Sequence, residues 1–351
     1  MSHTPDFESY RDLLSRIRIP HPAFELAGCE LMHAYRGVGY SDFPRYLQLS
    51  GPSRAGKTCL VTDFMKTAPA IQRQEGLHRP IVYAPIPPKG TTMGVIENLL
   101  RALGDPHWAR GTETNKLSRL LLQLSECGCR MIVLDEFQHL VDKGQNKTLK
   151  RTVDFIKALA EPNRWALVAS GLSEAQAAID GDAQLSGRFD APLEIARFEW
   201  TDAVLHKQYR GVLAAFEEAL APFELPSLEG EELALRFYLA TGGLMGLIVK
   251  LLQRVIEDAI DEERLTIRMP HLNDAFRRAI RFASRLRDGD GPFEMKLFGA
   301  PLEERRGEAV RMATALDDDP PVAPSPTSDS KAPKQSRKTI GDHKREMAEA
   351  L

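Results

Sequence analysis

Eight consecutive residues, Gly51-Pro52-Ser53-Arg54-Ala55-Gly56-Lys57-Thr58, have the spacing G-x-x-x-x-G-K-[ST]. Two glycines so placed let the backbone turn until successive N–H groups face an anion. A helix starting at the loop's end adds its partial positive charge. Lys57 is then placed to reach the β- and γ-phosphates of ATP, and the Thr58 hydroxyl to ligate Mg²⁺. Cys59 opens the expected helix and closes the nucleotide-binding stretch. Arg54 holds a variable position, where it either touches phosphate or points to solvent.

A second group of residues supplies what hydrolysis needs. Met131-Ile132-Val133-Leu134 is an apolar run that ends in Asp135-Glu136. Asp135 is the candidate Mg²⁺ residue, acting through water, and Glu136 the candidate general base for an attacking water. A strand can also end in acids only for solvation. Ser170, at the end of a later apolar run, is a candidate sensor of the γ-phosphate; a cap or turn residue is the plainer alternative. Arg188, in Gln184-Leu-Ser-Gly-Arg188-Phe189, lies outside these motifs. It can serve as a finger reaching a neighbouring subunit's γ-phosphate, or as a surface ion-pair residue.

The elements that position these groups are legible as apolar runs. Strands are expected at 45–50, 80–85, 130–135, 165–170 and 193–196, alternating with helical segments. Near-continuous apolar strands between helices indicate a parallel sheet covered on both faces. Ahead of them lies a lead-in, 1–44, with helices at Phe7–Arg18 and Pro22–Tyr35. Beyond Phe198 the 3.6-residue apolar period takes over, in Thr201–Leu220, Glu229–Ala240, Leu244–Ile260 and Pro270–Arg287. The expected fold is therefore α/β: a P-loop domain at 45–198 with a five-stranded parallel sheet, then a small helical lid at 199–287. A C-terminal extension, 288–313, precedes a Pro/Ser- and Lys/Arg-rich tail, 314–351, whose composition cannot bury a core.

Composition narrows the function classes. With 46 Lys+Arg against 49 Asp+Glu among 351 residues, the net charge is −3, so nucleic-acid affinity requires a local basic surface. Four cysteines (Cys29, Cys59, Cys127, Cys129) are too few and too irregular for a disulfide framework. Cys127-Gly-Cys129 lacks a second Cys/His pair at ligand spacing, which argues against zinc. No apolar run has the length of a membrane span and no signal pattern opens the chain. The expectation is a soluble cytoplasmic protein with no membrane partner.

Asp135-Glu-Phe-Gln-His-Leu140, Ala169-Ser-Gly-Leu-Ser-Glu174 and Gln184-Leu-Ser-Gly-Arg-Phe189 together resemble the AAA+ ATPase regulators of transposition of the TniB/TnsC family. Arg18-Ile-Pro-His-Pro-Ala-Phe24 and Thr241-Gly-Gly-Leu-Met-Gly-Leu-Ile248 are similar to the same family, so the resemblance spans roughly 15–285. It implies an ATP-dependent homo-oligomer, ring or helical filament, on double-stranded DNA. Its implied partners are a DDE transposase and a target-selection protein of the TniQ type, with hydrolysis driving disassembly. Many AAA+ proteins carry a lid arginine in a Gly-x-x-Arg pattern; Gly242-Gly243-Leu-Met245-Gly246 has none, which implies slow turnover.

The resemblance also directs attention to the segment after the second strand, where an inserted helix touches the DNA backbone. Lys89, Thr91 and Thr92 are the first candidates there, a cation flanked by hydroxyls being suited to phosphate. Asn115 and Lys116, at the next helix start, follow. Arg277, Arg278, Arg281 and Arg285 form an expected basic stripe, either a solvated face or a docking surface. The alternatives left open are an AAA+ replication initiator or helicase loader, a P-loop small-molecule kinase, and a nucleotide switch with negligible turnover.

Overall fold

The computed structural model describes residues 7–295 apart from 20, 41–44, 75, 89, 142–145, 161–163 and 182. Lys89 and the 314–351 tail therefore lie outside the described residues.

The chain opens with a 3-10 turn, Phe7–Tyr10, then α1 (Leu13–Arg16) and α2 (Pro22–Gly37). The nucleotide-loop strand β1 (Tyr46–Ser50) leads into α3 (Lys57–Lys66), and a hairpin of β2 (Ile71–Arg73) and β3 (Gly76–His78) follows. Next come β4 (Ile81–Pro85), α4 (Thr92–Leu103), α5 (Glu113–Glu126) and β5 (Met131–Asp135). After α6 (Gln138–Val141) and α7 (Asn146–Ala160) the chain forms β6 (Ala166–Gly171), α8 (Glu174–Asp180), α9 (Ala183–Ser186) and β7 (Leu193–Glu194). Helices α10 (Ala203–Ala219), α11 (Glu231–Thr241), α12 (Met245–Asp261) and α13 (Met269–Ala279) complete it, with a 3-10 turn at Arg281–Arg285.

All five predicted strands are present and form one parallel sheet, in the order β4-β5-β6-β1-β7. Every residue of β1, β5 and β6 is buried, as an apolar run covered on both faces requires. The order has a consequence for chemistry. Strand β6 stands between β1 and β5, with Leu49 opposite Ser170 and Leu134 opposite Ala169. The C-terminal ends of three strands thus bring the phosphate loop, Ser170 and Asp135 into one row. The β2/β3 hairpin carries no apolar run; its residues are exposed or half-buried, so hydrophobic patterning could not announce it.

The C-terminal helices share a separate core built around Phe216, Phe237, Leu251 and Phe276. The lead-in divides between the two cores. Phe7, Tyr10, Leu13, Leu14, Ile17 and Ile19 pack on the helical core, and Arg11 bonds Asp261 at 3.0 Å. Ala27, Leu31 and Ala34 of α2 pack on the sheet. The expected helix Phe7–Arg18 is accordingly two short pieces, because the chain bends to lay both aromatic and aliphatic residues on one surface.

The basic stripe is corrected. Helix α13 ends at Ala279, and Ile280 is extended (φ −102°, ψ 119°), so the four arginines do not share one helix face. Arg277 pairs with Glu294 at 2.8 Å and Arg278 with Asp258 at 2.7 Å. These guanidinium groups brace the helical core against its own acids.

Candidate nucleotide site

The loop between β1 and α3 has the backbone its glycines imply. Gly51 has φ +151°, and a Cβ there would sit 2.2 Å from the Ile195 carbonyl oxygen. Gly56 has φ +108° and caps α3; a Cβ would press on the Phe24 ring at 3.1 Å. Ser53 and Arg54 are exposed, Ala55 is buried, and Pro52 and Gly56 are intermediate. Lys57 is buried, and its ammonium donates to the Gly51 and Pro52 carbonyls at 2.8 Å each. The cation is thereby held inside the curl of the loop. Cys59 is exposed on the first turn of α3.

Asp135 is the hub of the site. Its side chain is buried, and four donors converge on its two oxygens. Oδ2 accepts from the Thr58 hydroxyl at 2.8 Å and the Tyr83 hydroxyl at 3.0 Å. Oδ1 accepts from the Ser170 hydroxyl at 2.7 Å and the Glu136 backbone N–H at 3.0 Å. The sequence placed Thr58, Asp135 and Ser170 in separate motifs; the strand order joins them. Tyr83 was missed. Its only signal is a phenol within the apolar run of β4, one strand over from Asp135. Burial, and then the neighbouring Asp135 charge, push that phenol well above its ordinary range, so it remains a proton donor.

A carboxylate and a hydroxyl side by side at the mouth of an N–H cradle are hard oxygen ligands suited to Mg²⁺. Thr58 and Asp135 are the residues that would hold it. Glu136 follows on the exposed side of the hub with φ +57°, a left-handed conformation unusual for a side-chain-bearing residue.

Beside the loop lies a cavity of about 540 Å³ with mostly apolar walls. Ile17 and Ile19 come from the lead-in, Cys59 and Leu60 from α3, and Met245 and Val249 from α12. An Arg18–Asp63 ion pair and Glu25 stand among them. The cavity adjoins Gly56, so a flat apolar ring attached to loop-bound phosphates has a place to go. No single motif encodes this pocket, because its walls come from four segments, Phe216 of α10 being the other.

Residues 31–200 match the family model described as bacterial TniB protein. That stretch is similar to the TniB family. Similar solved structures include Cdc6p from Pyrobaculum aerophilum, at 17% identity over 92% of this chain and 84% of that one, with a TM-score of 0.53. The Aeropyrum pernix ORC1 protein in complex with DNA is 18% identical over 76% and 68%, with a TM-score of 0.53. The ORC2 protein of Aeropyrum pernix, in ADPNP–ADP complexes, is 15% identical over 77% and 71%, again at 0.53. At such identities the likeness is one of fold. None of the curated proteins matches.

The structure accounts for the missing lid arginine. The Gly246 N–H donates to the Arg54 carbonyl at 2.8 Å, and a Cβ at Gly246 would lie 2.8 Å from that same oxygen. The lid helix α12 starts directly on the phosphate loop, and the approach is too close for a side chain. Arg54 itself has φ +65°.

Arg188 is not brought to the site of its own chain. It is exposed, and the next residue, Phe189, pairs with Tyr46, the first residue of β1, while the phosphate loop follows Ser50 at the other end. At about 3.3 Å per residue the two strand ends are roughly 13 Å apart, beyond the reach of a side chain that starts beside Tyr46.

The candidate DNA residues fare unevenly. Thr91 caps α4, its hydroxyl accepting from the Gly94 N–H at 3.1 Å, and the Thr92 hydroxyl donates to Glu113 at 2.5 Å. Lys116 is corrected: its side chain is only 4% exposed and its ammonium bonds Glu97 at 2.5 Å. The helix start placed it inward, against α4, where it ties two helices together. Lys116→Met is expected to cost about 1–3 kcal/mol, as for a severed buried charge-assisted hydrogen bond. Thermal denaturation reads that loss, while the salt dependence of DNA retention stays as in wild type. A changed salt slope without lost stability would return Lys116 to the DNA surface.

Proposed function

We propose that the chain is an ATP- and Mg²⁺-dependent regulator of DNA transposition. It binds ATP at subunit interfaces, assembles as a ring or helical filament on double-stranded DNA, and recruits a DDE transposase. A TniQ-type protein selects the target, and hydrolysis disassembles the complex. Residues 45–198 form the nucleotide-binding domain and 199–287 the lid.

The observation that carries the nucleotide part is the Asp135 hub, where Thr58 and Ser170 bond opposite oxygens of one carboxylate at the mouth of the phosphate loop. Bound Mg²⁺ would supply charge neutralisation on the phosphates. Lys57 and the loop N–H groups of 51–58 cradle them, and the apolar cavity receives the base. Asp135 and Thr58 would hold the metal, Ser170 would fix Asp135 as the sensor beside the γ-phosphate, and Glu136 would take the proton of the attacking water. Arg188, remote from its own site and exposed, serves a neighbour's.

Transposition is favoured by the TniB match across the core. The replication-initiator alternative has the fold likeness to ORC1 and Cdc6p in its favour, and the ORC1 complex with DNA supports DNA as a ligand under either reading. Lys89, Thr91 and Thr92 retain a place at the DNA backbone, without Lys116. A small-molecule kinase has less support, because Glu136 puts a water-activating acid directly after the metal residue.

Negative-stain imaging with a nonhydrolysable ATP analogue, with and without duplex DNA, tests the assembly. Rings or filaments are expected only when both are present. DNA retention should fall with salt at a log–log slope of about −0.9 per neutralised phosphate. Monomers that phosphorylate a small molecule would overturn the proposal.

A further inference from the structure

Gln138 is buried, and both ends of its amide have partners. Its Nε2 donates to Glu136 Oε2 at 2.5 Å, and its Oε1 accepts from the Leu172 backbone N–H at 3.1 Å. The donor side therefore grips one oxygen of the carboxylate that follows the metal residue. The acceptor side is anchored on the backbone just past β6.

The surroundings are shaped for this bridge. A Cβ at Gly171 would lie 2.5 Å from Gln138 Oε1, so the close approach exists only because residue 171 has no side chain. The Phe137 N–H donates to the Ser170 carbonyl at 2.9 Å, fastening the same turn to the same strand end. Glu136 meanwhile holds a left-handed backbone, a conformation that surrounding contacts must enforce. Its N–H is fixed by Asp135, and its carboxylate by Gln138. Fixing the backbone alone leaves a glutamate three rotatable side-chain bonds; the amide removes that freedom while leaving the second oxygen for a proton.

We propose that Gln138 is a positioning residue for hydrolysis. It orients the Glu136 carboxylate as general base and ties it rigidly to the end of β6 that carries Ser170. This rests on the role given to Glu136 above. The Gln138 amide is spent on Glu136 and the Leu172 N–H, so its contribution is to turnover and not to nucleotide binding.

One substitution isolates the donor, and a second removes the whole bridge. Gln138→Glu keeps the shape and the acceptor for the Leu172 N–H, but it sets a second carboxylate against Glu136. Gln138→Met keeps length and removes both polar ends. Each is expected to lower kcat by about ten- to a hundredfold with KM within about twofold of wild type.

The decisive readout is the double-mutant cycle with Glu136→Gln. In that background neither Gln138 substitution should lower turnover further, because the carboxylate it positions is already gone. An additive loss, a KM rising in step with kcat, or a Gln138→Glu enzyme retaining half of wild-type kcat would each overturn the proposal. Should Gln138→Met fail to fold, Gln138→Glu still decides. The two ideas fail separately: full turnover by Glu136→Gln alone removes the base assignment, whereas a dead Glu136→Gln beside a normal Gln138→Glu removes only the role of Gln138.

Discussion

Glu136→Gln is expected to slow ATP hydrolysis by about 10²–10⁴-fold while nucleotide binding stays near wild type. The two effects separate because the groups that would bind and those that would hydrolyse occupy different parts of the site. Phosphate and metal contacts are the roles proposed for Lys57, Thr58 and Asp135; Lys57 bonds the Gly51 and Pro52 carbonyls, and Thr58 bonds Asp135. The Glu136 backbone N–H, which Asp135 does use, survives the substitution. Glutamine matches glutamate in shape, and its side-chain oxygen still accepts from Gln138, so the left-handed turn should persist. What disappears is the ability to take a proton from water. With hydrolysis blocked, the ATP-bound assembly on DNA should persist after excess competitor duplex is added, whereas wild type disperses. Steady-state turnover, fluorescent-nucleotide binding and a competitor chase measure the three quantities. Unchanged turnover would remove Glu136 from its role, and lost binding would show that the turn itself had collapsed.

How much of this was legible in advance depends on whether a residue's role is local. Gly51, Lys57 and Thr58 act within one turn of chain, so spacing alone announces them. The strands are equally plain, since a covered parallel strand must be apolar on both faces. The hub around Asp135 is different. Ser170 could be suspected from its place at a strand end, but its bond to Asp135 depends on β6 lying between β1 and β5. Tyr83 depends on β4 lying next to β5, and nothing in a linear run of apolar residues reports neighbours in the sheet. The apolar cavity is less legible still, being walled by the lead-in, α3, α10 and α12. Charged residues misled for a related reason. Lys116 reads as a surface cation at a helix start, and Arg277 and Arg278 as half of a stripe, until their partners Glu97, Glu294 and Asp258 are seen beside them. Charge in a sequence is visible; its neutralisation in three dimensions is not.

Arg188 yields the other large effect, and its position dictates the form of the test. Exposed, and next to Phe189, which pairs with Tyr46 at the far end of β1, it has no route to the phosphate loop of its own chain. If it completes a neighbour's site, Arg188→Ala should lower turnover by about 10³–10⁵-fold, the range for arginine fingers. A single subunit should bind ATP as before. Loss of rate alone does not distinguish a finger from a damaged subunit, but mixing does. Arg188→Ala keeps an intact phosphate loop, and Lys57→Ala keeps an intact finger. Each alone should be inactive. In a co-assembled equimolar mixture, half of the loops and half of the fingers are intact. About a quarter of the interfaces then combine both, and turnover should recover to about a quarter of wild type. Recovery should vanish on dilution below the assembly threshold, since the complete site exists only between subunits. An inactive mixture, in assemblies shown by imaging to contain both variants, would place the essential function of Arg188 inside its own chain. The exposed guanidinium beside Tyr46 would then be an internal brace, and the neighbour's site would need another cation.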